Sequence, residues 1–320
     1  MNEKDKKKAF SRIGWYLILL SVTSSAAQIL IQDIIGIIYK PALEITFVKM
    51  VIIFGSMYLI GVPTANIILK GKMVLEADKN KLSAKTFLKL IPVTIFTVYI
   101  GSLIGQVITN IITAITGVVP FDPVSRLITG SNVFVTFIFA GLIGPIVEEY
   151  VFRKQIISHT RMFGDKRAIV FSAFVFALFH GNLSQMFYAF TLGLLFGYIY
   201  VKTGSIKYSA ALHVMVNTVS GVIVGSIASN LDLEVLNLGF DAVLSSGEFW
   251  KYLIIVIYSL ATMVFAIMGA FIVLKNRRNI SVEQPVFELE KPFKEMYLNS
   301  GIILFTLNMV VVVISTFLRG

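Results

Sequence analysis

The segment from Val133 to Ile157, VFVTFIFAGLIGPIVEEYVFRKQII, decides how this chain is read. Val133 through Val147 is apolar but for Thr136, then the run meets Glu148 and Glu149, and Arg153 follows one turn later. At 1.5 Å per helical residue, a segment of this length spans about 37 Å, enough to cross the ~30 Å hydrocarbon thickness of a bilayer. Comparable apolar blocks stand on either side: Ile13 to Ile38, Phe47 to Leu69 and Leu90 to Ala114 before it, and Ala168 to Leu183, Met186 to Tyr200, Tyr208 to Ile227, Phe249 to Leu274 and Leu298 to Leu318 after it. The 320 residues are 56% hydrophobic and only 14% charged, with a mean hydropathy of +0.82. Soluble domains carry roughly 25% charged residues, so a soluble fold is excluded. The pattern predicts an all-α polytopic membrane protein, a bundle of about eight or nine transmembrane helices around a buried polar site.

Cysteine is absent, which removes disulfides, thiolate metal sites and cysteine nucleophiles together. The net charge of +10 would suggest nucleic acid in a soluble protein, but here it collects in alternate loops. Only Lys40, Lys49, Arg126, Lys251 and Arg319 fall on the opposite side from all the other Lys and Arg residues. By the positive-inside rule the N-terminus is cytoplasmic and the C-terminus outside, in a multi-pass cell-membrane protein. Partners are therefore membrane lipids and membrane-borne substrates, with no nucleic acid. The Ile-, Lys- and Asn-rich composition points to a bacterial source. Lys4 to Arg12 resembles the basic region of a signal peptide, yet the apolar run continues to Ile38, which favours a retained helix. The segments 168–183 and 186–200 are short and read either as two spans or as a re-entrant hairpin. The chain divides into N-terminal helices and basic loops (1–131), a chemistry-bearing core (132–220) and C-terminal helices (221–320).

An ionisable side chain within the bilayer costs several kcal/mol, so it calls for a functional hypothesis first. Glu149 and Arg153 stand at i and i+4, the spacing of a helical ion pair, while Glu148 points about 100° away with no partner on its own helix. The spacing predicts Glu149 held ionised by Arg153 and Glu148 tuned by its surroundings, the inequality an acid/base site needs. Phe176 and His180 are one turn apart in the next block, as are His213 and Asn217 in the block from Tyr208. These groups meet at a common depth only if Arg153 is buried within a helix that continues past it.

The three patterns Glu148-Glu149-x-x-x-Arg153, Phe176-x-x-x-His180 and His213-x-x-x-Asn217 resemble the motifs of the CPBP intramembrane endopeptidase family, which includes CAAX prenyl proteases and bacterial bacteriocin-processing and immunity proteins. The resemblance covers roughly Val133 to Ser220. It implies a membrane-embedded protease cutting a membrane-embedded or lipid-anchored peptide or protein, with Glu148 activating water and His180 assisting. It also implies His213 and Asn217 stabilising the oxyanion, and Glu149 with Arg153 as an orienting pair. Zinc is the cofactor in question: Glu148, His180 and His213 are residue types that hold it. The same residues suit a metal-free glutamate mechanism, and spacing does not separate the two, since they come from three helices and not from one HExxH turn. The metal-free mechanism is the one expected.

Competing readings are a proton- or ion-coupled transporter using the same groups as a relay, and a non-catalytic membrane scaffold. No second copy of the cluster stands elsewhere in the chain, as an inverted-repeat carrier would tend to have. Among other polar features, His159 is expected in a solvated basic loop. Gly101-xxx-Gly105 and Gly193-xxx-Gly197 are expected as close helix contacts, and Gln106 and Asn110 as interhelical hydrogen bonders.

Overall fold

The computed structural model describes residues 1–121 and 132–318, so the charge assignments made for Arg126 and Arg319 lie outside the described residues. All regular structure among the described residues is helical. The long elements are α1 (Glu3–Glu44), α2 (Thr46–Leu69), α3 (Ala84–Thr116), α4 (Val133–Phe163), α5 (Asp165–Phe179), α6 (Leu183–Thr203), α7 (Ile206–Ala228), α8 (Phe249–Asn279) and α9 (Ser300–Leu318). Every one of the predicted apolar blocks is a helix, and eight are long and apolar enough to cross a membrane.

The ninth, α5, has 15 residues, about 22 Å at 1.5 Å each, short of a bilayer's apolar thickness. The apolar pattern runs on to Leu183, but the helix stops at Phe179. Gly181 takes a left-handed turn at φ +58°, and the Asn182 side chain caps α6 by accepting from Ser184 N. The turn is thus His180 to Asn182, two residues before the expected Ser184-Gln185. The starts of α1, α3, α4 and α7 are capped in the same way, by Asn2, Ser83, Asn132 and Ser205.

The N-terminal and C-terminal helices pack onto the central ones: α1 against α2 and α9, α3 against α6 and α8. Phe10, Tyr16 and Leu17 of α1, Phe152 of α4, Phe171 and Phe176 of α5 and Phe305 of α9 share one buried core. Both small-residue pairs are close contacts. A Cβ on Gly101 would collide with the Tyr188 backbone, and one on Gly193 would come 2.8 Å from Ala173 Cα. Gln106 and Asn110 correct the expectation made for them. Both face outward and make no hydrogen bond among the described residues, because the α6-facing side of α3 is taken by Gly101 and Gly105.

The basic segments converge on one end of the bundle. Leu75 N donates to Ser158 O (2.9 Å), Asn80 N to Thr203 O (3.0 Å), and Val286 N and Phe287 N to Met162 O. Arg161 joins Asp165 (2.9 Å) and Glu283 (2.8 Å), and the Ser11 and Ser300 hydroxyls meet at 3.2 Å. The α1 start, the α2–α3 and α4–α5 connections, the α6–α7 turn and the α8–α9 connection therefore share a face, as the alternation of charge requires.

Candidate active site

α4 carries the site at mid-length. Glu148 lies 15 residues from either end of the helix, about 22 Å along the axis. Arg153 is fully buried, as the continuing helix demanded. Its Nε donates to Glu149 Oε2 (3.2 Å) and its Nη1 to Ser172 Oγ of α5 (3.2 Å). The Ser172 hydroxyl in turn donates a hydrogen bond to Phe152 O (2.7 Å). The guanidinium also lies 4.7 Å from the Phe176 ring centroid, a desolvated cation–π contact. Glu149 is likewise wholly buried, and the Ser209 hydroxyl of α7 is within its hydrogen-bond reach.

His213 of α7 joins the two carboxylates. Its Nδ1 is 3.2 Å from Glu149 Oε1 and its Nε2 is 3.6 Å from Glu148 Oε2. Arg153, Glu149, His213 and Glu148 thus form one continuous chain across two helices. The adjacent glutamates sit in the unequal settings expected: Glu149 has no exposed surface, whereas the Glu148 side chain is 25% exposed. His180 ends α5, with Nδ1 held at Phe176 O (2.8 Å) and its ring edge-on to Phe176 at 4.7 Å. It makes no hydrogen bond to Glu148, but lies within electrostatic reach of Glu148, His213 and Arg153. Asn217 stands one turn beyond His213, and its Nδ2 donates to Ala140 O of α4 (3.2 Å).

Helix geometry is irregular at this place in a systematic way. Four stretches have π-helical turns: Ser56–Gly61 in α2, Phe137–Ile143 and Tyr150–Ile157 in α4, and Asn217–Val224 in α7. The pair in α4 brackets the regular turn Gly144–Glu149. Such turns widen a helix locally and concentrate at functional sites. Pro145 has no N–H to give to the preceding turn, which leaves a carbonyl there without its helical donor. Asn217 takes Ala140 O, and Thr218 Oγ1 approaches Gly141 O at 3.4 Å.

Several neighbours had no motif to announce them. Ser172 and Ser209 are ordinary small residues in apolar helices. Tyr58 of α2 projects against Gly144, and its one advance signal is a tyrosine at mid-span, where the type is uncommon. His159 is corrected: it belongs to the last turns of α4, half-buried, with Nδ1 bonded to Gln155 O. With Asn66, Tyr150 and Gln155 it lines a cavity of about 380 Å³ between α2 and α4 at the basic end.

For a metal the fit is poor. Among the described residues no three His, Cys, Asp or Glu side chains cluster as a ligand set, Glu148, His180 and His213 included.

Residues 130–219 match a family described as Rce1-like, type II CAAX prenyl endopeptidase. The chain is 24% identical over 210 residues to the membrane-embedded CAAX protease MroQ of Staphylococcus aureus (strain USA300), a match covering 62% of this chain and 84% of the relative. No solved structure matches. The two matches bear out the resemblance to CPBP proteins and support a CAAX-type intramembrane protease in general.

Proposed function

From its CPBP-family domain at residues 130–219, we propose that this membrane protein hydrolyses a peptide bond in a membrane-embedded or lipid-anchored peptide or protein, with Glu148 as the general base. The observation that carries the reading is the setting of Glu148. It is a part-exposed carboxylate at mid-span, 3.6 Å from the imidazole of His213, backed by a second carboxylate that Arg153 already neutralises. Glu148 takes a proton from water as the water oxygen bonds to the scissile carbonyl carbon, and the carbonyl π electrons move onto oxygen. Asn217, and His213 through Nε2, face the resulting oxyanion, and His180 assists in holding the water. When the tetrahedral species collapses, the C–N bond breaks and Glu148 returns its proton to the leaving nitrogen.

The role of Glu149 and Arg153 is positional: they fix the His213 ring by its Nδ1 and leave Nε2 towards the site. No step is assigned to a metal, because the donors do not gather into a ligand set. The basic end faces the cytoplasm under this proposal, with the N-terminus on that side. The cavity between α2 and α4, lined by Asn66, Tyr150, Gln155 and His159, lies at that end. A bacterial cell membrane is the proposed location.

The test is purified protein in proteoliposomes holding lipid-anchored peptides, comparing wild type with Glu148→Gln and His180→Ala. Loss of a general base lowers turnover by roughly 10²- to 10⁴-fold. Stable variants that leave the peptide products unchanged would overturn the protease assignment, and ion flux abolished by the same changes would favour the relay.

A further inference from the structure

Beyond residues 130–219, one polar side chain reaches the same site. Tyr58 lies midway along α2, within its π-helical stretch Ser56–Gly61. Tyrosines favour the membrane–water interface, and a tyrosine hydroxyl away from water ordinarily finds a partner. Tyr58 is half-buried, and its hydroxyl makes no hydrogen bond to another described residue. It is aimed instead at bare backbone: a Cβ on Gly144 would come 3.1 Å from Tyr58 Oη. Gly144 and Glu148 are one turn apart in the regular stretch of α4 and share a face. Glu148 accordingly lies within electrostatic reach of the Tyr58 hydroxyl. The ring is steered from outside the site. It packs against Phe54 at 5.6 Å, and Phe54 stacks on Phe139 of α4 at 5.7 Å.

The Tyr58 hydroxyl therefore lies against the Gly144 backbone, one turn before Glu148, and the Asn217 amide is bound one turn earlier still, at Ala140 O. A hydroxyl donor so placed suits the acceptor that a peptide carbonyl brings up to Glu148. We propose that Tyr58 is a further catalytic residue, donating its hydroxyl hydrogen bond to the scissile carbonyl oxygen as that oxygen becomes an oxyanion. The proposal rests on the protease reading above and extends it to α2, a helix outside the matched domain.

The experiment is Tyr58→Phe in the same proteoliposomes, with Glu148→Gln as the inactive background and thermal unfolding as the check on folding. The expected result is a kcat lower by roughly 10²- to 10³-fold, as for other oxyanion donors, with KM within about threefold of wild type. A peptide phosphonate, which mimics the tetrahedral anion, should bind Tyr58→Phe at least about tenfold more weakly, while the uncleaved peptide binds both proteins alike. An unchanged kcat, or a raised KM at unchanged kcat, overturns the role of Tyr58 while leaving the protease reading intact. Wild type that cleaves no better than Glu148→Gln overturns the protease reading, and this proposal with it.

Discussion

Replacing Arg153 by Met isolates what the buried ion pair contributes. Arg153 and Glu149 are both without exposed surface and are 3.2 Å apart. At an effective dielectric of ~20, opposite charges at that separation attract by about 5 kcal/mol. Measured losses on removing one member of a buried pair are about 3–5 kcal/mol, because the remaining charge is stranded. Arg153→Met leaves Glu149 with only His213 and Ser209, and the methionine recovers some packing against Phe176 and Phe196. A loss of about 3–5 kcal/mol is therefore expected. The double change Glu149→Gln/Arg153→Met removes both charges and should return to within about 1–2 kcal/mol of wild type, since neutral replacements of a buried pair are often tolerated. Equilibrium unfolding in mixed detergent micelles, followed by helical circular dichroism, measures all four corners of the cycle. A double variant no more stable than Arg153→Met would refute the argument, since the loss would then come from packing and not from a stranded charge.

Asn217→Ala should lower kcat by roughly 10²- to 10³-fold through the lost donor. It should also cost about 1 kcal/mol in the same unfolding assay, because Ala140 O loses its partner. Gly193→Leu places a Cβ 2.8 Å from Ala173 Cα and should destabilise by about 1–3 kcal/mol, with Ala173→Gly restoring part of the loss; thermal unfolding reads both. Dialysis against a strong chelator should leave peptide cleavage unchanged within about twofold, given the absence of a three-donor cluster among the described residues. Activity lost to the chelator and restored by zinc would reverse that expectation.

Hydropathy and i, i+4 spacing carried the sequence reading as far as whole helices and their paired residues. The blocks became helices because backbone polar groups in a bilayer must pair within their own segment. The burial of Arg153 followed from the depth at which Glu148, His180, His213 and Asn217 must meet. What the pattern hid was finer than a helix. The end of α5 is masked because the apolar run passes through His180 and Gly181 to Leu183, and a left-handed glycine has no hydropathy signature. Ser172, Ser209 and Tyr58 reach the site from neighbouring helices, and an uninterrupted apolar sequence does not say which face of a helix looks inward. Gln106 and Asn110 show the same blindness in reverse, as polar groups that face outward beside the glycines that make the contact.

The π-helical turns account for the rest. A π turn adds a residue to a helix, so every side chain after it is rotated relative to those before it, and the local hydrogen bonds are poorer. In an amphipathic helix that shift shows as a break in the apolar stripe, but α4 is apolar on all sides before Glu148, and nothing marks it. The distortion needs compensation within the bilayer, because a carbonyl left unpaired there costs several kcal/mol. Pro145 fixes where the weakness falls, and Asn217 and Thr218 answer it from α7. Asn217 is thus a staple across the helix break, with one amide N–H spent on Ala140 O, and under the proposed protease mechanism its second N–H is the one that meets the oxyanion. That double duty ties the geometry of Glu148 to the packing of α7. It also gives a physical reason for Asn, with two amide hydrogens on one nitrogen, at position 217: serine and threonine have a single donor hydrogen, and aspartate, when ionised, has none.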